Sequence, residues 1–360
     1  MRIVQILKVL AFGDAIGNHV IALQRAFREN RIKTKIYAEV IDARLPEGTA
    51  EDYGLYEEMD EDVILYHLST GTELNRKVTE HKCKIIINYH NITPPEYFAG
   101  YNRQGEINCI TGLEDAAYLS DKAACCIADS RYNKEDLIHM GYRCDITVVP
   151  ILIAYDDYKK MPDQKIMEQY KDEWTNIVFV GRIVPNKAQH DVINAFHHYK
   201  KYYNSKSRLI LVGTYGGMEK YQAQLEEYTK KMGVEDVIYP GHIRFDEILA
   251  FYQCADLFLC QSEHEGFGVP LIEAMIFGVP VVAYDSSAVG ETLGGAGILL
   301  DKKDPLETAA VMNRVITDET LRRKLIENGY ERLKDFDNQA TVRKFIDYIR
   351  MNQNNCHIQD

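Results

Sequence analysis

The 360-residue chain has no excess of positive charge: 42 Lys+Arg stand against 54 Asp+Glu, a formal net charge of −12. A field of that sign repels polyanions, which excludes a general nucleic-acid binder while leaving room for a local basic pocket that holds one phosphate. No apolar run reaches the roughly 18 uninterrupted residues that would span a bilayer. The start, Met1 to Leu10, is apolar for too short a stretch to be a secretory leader and is broken by Lys8. A cytoplasmic chain is therefore expected. The eight cysteines, at 83, 109, 125, 126, 144, 254, 260 and 356, show no CxxC pairing of a zinc or thioredoxin-like site and read as reduced packing residues. Repeats and low-complexity segments are missing too, which excludes solenoids.

What is present is ordinary globular composition, with 46% hydrophobic and 27% charged residues, in a length that suits about two domains at roughly 150 residues each. Short β-rich runs alternate with helical patterns, the mark of parallel α/β domains. In the first half the strands are expected at Ile3–Leu10, Thr34–Tyr37, Val63–His67, Lys84–Tyr89, Ala124–Ala128 and Ile146–Val149. After a polar, Lys/Asp-rich passage a second series follows at Asn176–Val180, Leu209–Val212, Val237–Tyr239, Leu257–Cys260, Val281–Ala283 and Ile298–Leu300. The expected architecture is α/β, two Rossmann-like domains facing a central cleft: residues 1–152, a linker at 153–173, and residues 174–337. Domains of this kind bind ligands at the carboxyl ends of their strands. Neither Gly13-Asp-Ala-Ile-Gly17 nor Gly181-Arg-Ile-Val-Pro-Asn-Lys187 contains GxGxxG, which counts against dehydrogenase chemistry.

The most informative stretch is Ser262-Glu-His-Glu-Gly-Phe-Gly-Val-Pro-Leu-Ile-Glu-Ala-Met-Ile-Phe-Gly278, directly after an apolar strand. It reads as strand, glycine-bearing loop and helix, with Pro270 in the first helical turn and Gly278 at the exit. Backbone N–H groups at such a helix start suit a diphosphate. Glu265 on the loop could accept hydrogen bonds from sugar hydroxyls, and Glu273 on the helix from a ribose diol. Each glutamate taken singly reads as a loop charge or a helix-dipole complement; together with two glycines at a strand end they read as a site. Arg182 and Lys187 share the loop after Asn176–Val180, where two cations could neutralise a leaving diphosphate.

Val-Gly-Arg-Ile-Val-Pro-Asn-Lys, Ser-Glu-His-Glu-Gly-Phe-Gly-Val-Pro-Leu-Ile-Glu-Ala-Met and Gly-Glu-Thr-Leu-Gly-Gly-Ala-Gly-Ile-Leu resemble the C-terminal domain of family 4 glycosyltransferases, retaining enzymes of GT-B fold that use nucleotide sugars. The likeness runs over about residues 176 to 335 and continues more weakly through Phe-Gly-Asp-Ala-Ile-Gly-Asn and Tyr-His-Asn-Ile-Thr-Pro-Pro. It implies that Glu265 touches the donor sugar and Glu273 the ribose. Backbone groups of Gly266, Phe267, Gly268 and Val269 would surround sugar and diphosphate, and Arg182 and Lys187 would hold the diphosphate. His242 and Ile243 fall where the family cradles the nucleobase, and Gly213 lines the same pocket. In the first domain the resemblance aims His90 at the transferred sugar, with His67 as a weaker candidate. It brings Gly17 near the donor phosphates and gives Asp14 and Asn18 to the acceptor. No Asp-x-Asp metal motif stands in a nucleotide-binding position, so no metal or other cofactor is expected. The usual Pro-Glu of the family stands here as Gly290-Glu291.

Val342, Phe345, Ile346 and Ile349 recur at helical spacing in a C-terminal segment, about 338–352. In GT-B proteins such a helix crosses back to the first domain, although the same spacing suits a dimerising helix. The reaction implied is transfer of a sugar from a UDP-sugar or GDP-mannose to a hydroxyl of a saccharide or lipid-linked acceptor, in bacterial surface polysaccharide or glycolipid synthesis. Peripheral contact with the inner membrane surface goes with such an acceptor. A GT-B sugar-nucleotide epimerase, a sugar-nucleotide sensor without catalysis and a two-lobed solute-binding protein are the competing readings.

Overall fold

Apolar runs of the chain build two sheets in which every strand pairing is parallel. The computed structural model describes residues 1–241 and 243–353. The chain divides into two compact units: Met1–Pro95, Gln104–Ala154 and the return from Phe336 form the first, and Glu96–Arg103 with Tyr155–Asp335 the second.

The first unit holds β1 (Arg2–Leu10), β2 (Lys33–Ile41), β3 (Glu51–Asp52), β4 (Asp62–Leu68), β5 (Lys84–Tyr89), β6 (Cys125–Ala128) and β7 (Ile146–Val148), in the order β3-β2-β1-β4-β5-β6-β7. The second holds β8 (Thr175–Val180), β9 (Ser207–Val212), β10 (Val237–Gly241), β11 (Leu257–Cys260), β12 (Val281–Tyr284) and β13 (Ile298–Leu300), in the order β10-β9-β8-β11-β12-β13. Parallel pairs need long crossovers, and helices supply them. The central strands are buried on both faces and so read as continuous apolar runs: every residue of β4 is buried. In each sheet the strand order reverses once, between β1 and β4 and between β8 and β11. Loops leaving the carboxyl ends of those strands are where a ligand crevice opens in such sheets.

Every strand expected from an apolar run is present. The additional one, β3, consists of Glu51 and Asp52 alone and has no apolar signal. The passage read as a linker, 153–173, is different from that expectation. From Tyr155 onward it belongs to the second unit, where the helix Gln164–Tyr170 packs Ile166, Met167 and Tyr170 against the core around Phe251 and Cys254. The helix Asn338–Gln353 buries Phe345, Ile346 and Ile349 against Leu23, Phe27, Val149 and Leu152 of the first unit. Among the described residues no helix is long and apolar enough to cross a membrane.

Candidate active site

In the second unit, β8 runs into Gly181 and then Arg182, whose guanidinium is exposed and has no hydrogen-bond or ionic partner among the described residues. The chain is held there by backbone bonds, Ile183 N–H to Thr214 O at 2.9 Å among them, and by the Gln189 amide donating to Arg182 O. Pro185–Lys187 forms one tight turn, and Ala188 follows in the left-handed region at φ +48° before the helix Gln189–Tyr202 begins. Gly213, expected to line a pocket, has a packing reason to be glycine: a Cβ there would lie 1.8 Å from Gly181 O, so the loops after β8 and β9 touch through bare backbone.

The loop after β11 meets the loop after β8 through Asn186. This buried side chain donates to His264 O at 3.1 Å, while the backbone carbonyl of Asn186 accepts Glu263 N–H at 2.8 Å. Across that seam Lys187 Nζ lies 2.5 Å from Glu265 Oε1, with side chains 18% and 11% exposed. The two groups expected to grip different parts of a donor thus hold each other. Glu265 is fixed further from the loop after β12: its N–H donates to Ser287 Oγ at 2.7 Å, and Ser286 Oγ donates to Ser262 O at 2.6 Å. Ser287 adopts φ +45°, a conformation that costs a non-glycine residue of order 1 kcal/mol or more and that the surrounding bonds maintain. Gly290 stands against Asp285, whose Oδ1 would be 2.5 Å from a Cβ at that position. Burial pushes the His264 imidazole down to about 4; Glu265 opposes this and Lys187 adds to it.

Gly268 turns at φ +91° to start the helix Val269–Ile276, with Pro270 in its first turn. Phe267 is buried in the unit, with its carbonyl accepting from Thr292 Oγ1. Glu273, one turn on, is engaged at both oxygens: Tyr158 OH donates to Oε1 and Tyr252 OH to Oε2, each at 2.7 Å. Burial pushes its carboxyl above the usual range, and the two hydroxyls oppose that shift. Ile243 packs against the core beside Ile248. His242 lies outside the described residues.

In the first unit Asp14 caps the helix Ala15–Glu29, its carboxylate accepting Gly17 N–H at 3.3 Å and its carbonyl Asn18 N–H at 2.9 Å. Gly17 is required by close approach, since a Cβ would meet Ala11 O at 2.3 Å. Asp14 is exposed and Asn18 partly so. His90 is enclosed by polar partners. Its side chain is 0% exposed, with Nδ1 2.7 Å from Asp129 Oδ2 and Nε2 2.9 Å from His67 Nδ1. His67 Nε2 is 3.1 Å from Gln5 Oε1, and Asn88 links the pair to His19, whose Nδ1 accepts Leu152 N–H. These buried polar partners draw the ring inward, edge to edge and coplanar with His67 at 5.2 Å between centroids, so neither nitrogen is presented to a ligand in this structure. Burial drives His19 and His67 well below their ordinary range, helped by His90, and raises Asp129, which His90 opposes.

Asn186, Ser286, Ser287, Tyr158, Tyr252 and Asp129 escape the sequence reading. Asp129 has a signal, a charged residue directly after an apolar strand. The serines and Asn186 are ordinary loop residues in type, and only the fold brings them to Glu265. Among the described residues no group of three or more His, Cys, Asp or Glu could hold a metal ion.

Residues 163–332, nearly half of the chain, match the family model described as Glycosyl transferases group 1. The two units have the Rossmann-like parallel-sheet fold of GT-B proteins. The Anabaena protein HepE, solved in complex with UDP and glucose, superposes with a TM-score of 0.79 at 19% identity, covering 98% of this chain and 100% of that one. Sucrose-phosphate synthase of Thermosynechococcus elongatus gives 0.77 at 16% identity, covering 98% and 99%. At such identities the likeness is one of fold. By sequence the chain is 26% identical over 221 residues to O-antigen chain mannosyltransferase B of Escherichia coli, covering 60% of this chain and 58% of that protein. It is 30% identical over 167 residues to an uncharacterized glycosyltransferase of Methanocaldococcus jannaschii, covering 46% and 45%. The chain spans about half the length of the curated relatives it matches.

Proposed function

We propose that this protein is a retaining glycosyltransferase that moves a sugar from a nucleoside-diphosphate sugar to an acceptor hydroxyl without a metal ion. What carries the reading is the Lys187–Glu265 pair, with its bonded loops at the ends of β8 and β11 and the unpartnered Arg182 on the same β8 loop. On donor binding Lys187 turns from Glu265 to the diphosphate, Arg182 joins it, and Glu265 accepts from the sugar hydroxyls. The bond from the anomeric carbon to the phosphate oxygen breaks with its electron pair on the phosphate. The acceptor oxygen bonds to the same face of that carbon, and its proton passes to the leaving phosphate. Fixed cations lower the barrier because negative charge develops on the diphosphate as that bond breaks. Gly266 to Val269 supply backbone N–H groups to the sugar and diphosphate, and Asp14 and Asn18 meet the acceptor. His90 is left out of the contact set, since a role at the sugar requires its ring to leave Asp129 and His67.

The relatives suggest which donors to try first. HepE was solved with UDP and glucose, and the Escherichia coli relative is a mannosyltransferase of O-antigen chains, so UDP-glucose and GDP-mannose head a panel of UDP-, GDP-, dTDP- and ADP-sugars. The acceptor is taken to be a saccharide or lipid-linked intermediate of a surface polymer, met at the cytoplasmic membrane surface. Thermal shift tests donor binding: a ligand at 100 times its dissociation constant stabilises a two-state folder by about 2.7 kcal/mol. One nucleotide class shifts the melting temperature, with and without chelator, and Lys187→Ala and Glu265→Ala weaken the shift. In turnover, Lys187→Ala loses about 3 kcal/mol of transition-state stabilisation, on the order of a hundredfold in rate. Wild-type turnover by folded Lys187→Ala overturns the assignment. Binding without transfer to any acceptor favours the sensor reading.

A further inference from the structure

We propose that Tyr158 and Tyr252 are positioning residues for the nucleotide ribose: each donates its hydroxyl hydrogen to one oxygen of Glu273, aiming the carboxylate and leaving it two acceptor sites for the ribose diol. The inference rests on the reading of Glu273 as the ribose acceptor and adds how this chain prepares that group.

A carboxylate has about four lone-pair sites, two on each oxygen. Tyr158 occupies one on Oε1 and Tyr252 one on Oε2, both at 2.7 Å, so the remaining two match in number the two hydroxyls of a diol. The rings that carry these hydroxyls are themselves held. Tyr252 stacks on Phe277 at 5.3 Å with 8° between planes, and its hydroxyl is also 3.4 Å from Pro270 O at the start of the Glu273 helix. Tyr158 meets Phe277 edge-on at 6.1 Å and Phe245 at 5.8 Å. Glu273 is therefore clamped from two elements, the segment before the helix Gln164–Tyr170 and the helix Phe245–Cys254, and not by its own helix alone. A carboxylate taken from water needs hydrogen bonds to stay ionised, and these hydroxyls supply them. A group held this way loses little freedom when a ligand arrives, which is the condition for strong discrimination between a ligand with a hydroxyl and one without.

Calorimetric titration of UDP against 2′-deoxy-UDP, and of GDP against 2′-deoxy-GDP, tests this in the full chain. Wild type is expected to prefer the ribonucleotide of its own base by about tenfold or more, the scale of one buried hydrogen bond to a charged group. Glu273→Gln abolishes most of that preference. Tyr158→Phe and Tyr252→Phe each reduce it several-fold, and the double variant leaves less than either. Val315→Ala, a buried side chain of the helix Pro305–Thr317, is the packing control, expected to lower the melting temperature while keeping the preference. If the preference survives intact in the double tyrosine variant while Glu273→Gln loses it, the clamp is overturned and the ribose reading stands. If wild type shows no preference, or Glu273→Gln keeps it, both fall together.

Discussion

Gly13, which precedes the Asp14 cap, and Gly213, in the loop after β9, face different constraints, and their alanine variants separate them. At Gly13, φ is +75° with nothing near a prospective Cβ, so alanine meets only the left-handed backbone, about 1 kcal/mol. At Gly213 a Cβ would collide with Gly181 O at 1.8 Å, and backbone cannot rotate away as a side chain does. Urea unfolding should therefore show Gly213→Ala destabilised by about 3 kcal/mol or more and Gly13→Ala by roughly a third of that; equal effects would contradict the close approach. At this scale the sequence was partly legible. Lys187 and Glu265 could be picked out because glycines at strand ends advertise a loop where backbone comes near a ligand. That they bind each other could not be read, because the bond depends on Asn186 and Ser287, whose residue types carry no special signal. His90 is marked by its place after β5, but its partners are not, since Asp129 and His67 reach it only when β4, β5 and β6 lie side by side.

Among the elements, strands were the most legible. Parallel strands buried on both faces are largely apolar, which marks them in the sequence, whereas β3, two acidic residues long, carries no apolar residue. The segment before β8 was illegible for the opposite reason. Its polar composition hides four contact residues, Tyr158, Ile166, Met167 and Tyr170, spaced too irregularly over a short turn and a seven-residue helix to show a period. The C-terminal helix is the clearest energetic case. Phe345 is 1% exposed and touches rings of both Phe27 and His19, at centroid distances of 6.2 and 6.1 Å. Phe345→Ala should cost about 3–5 kcal/mol, the range for a fully buried aromatic, read as a lowered midpoint in denaturant. Less than about 1 kcal/mol would show that the helix is not part of the first unit's core.

For the molecule as a whole, the buried histidines set a pH dependence that differs between the units. His19 and His67 in the first unit and His264 in the second all have depressed folded values. The unfolded chain, with ordinary values near 6.5, takes up these protons first as pH falls, so stability is complete above about 6.5 and declines below it. The slope approaches about 1.4 kcal/mol per pH unit for each histidine whose proton is fully lost on folding; the first unit carries two driven well below their ordinary range, the second His264 and the partly exposed His197, which burial also lowers. The single tryptophan, Trp174, lies in the second unit and reports it alone, while far-UV circular dichroism reports both. Between pH 7 and 5.5 the dichroism midpoint should fall ahead of the fluorescence midpoint, and His67→Gln should narrow the gap. A gap that stays constant with pH would mean that the buried histidines do not govern acid stability.

The return of the C-terminal helix also fixes an order of events at the ribosome. Domains made vectorially usually complete from the amino end. Here the second unit has all its strands once synthesis passes Leu300, whereas the core begun by Ile3 waits for Phe345 and Ile349. The half begun first is finished after the other, and until Phe345 and Ile349 emerge its nascent chain exposes the apolar side chains of Leu23 and Phe27 that they cover.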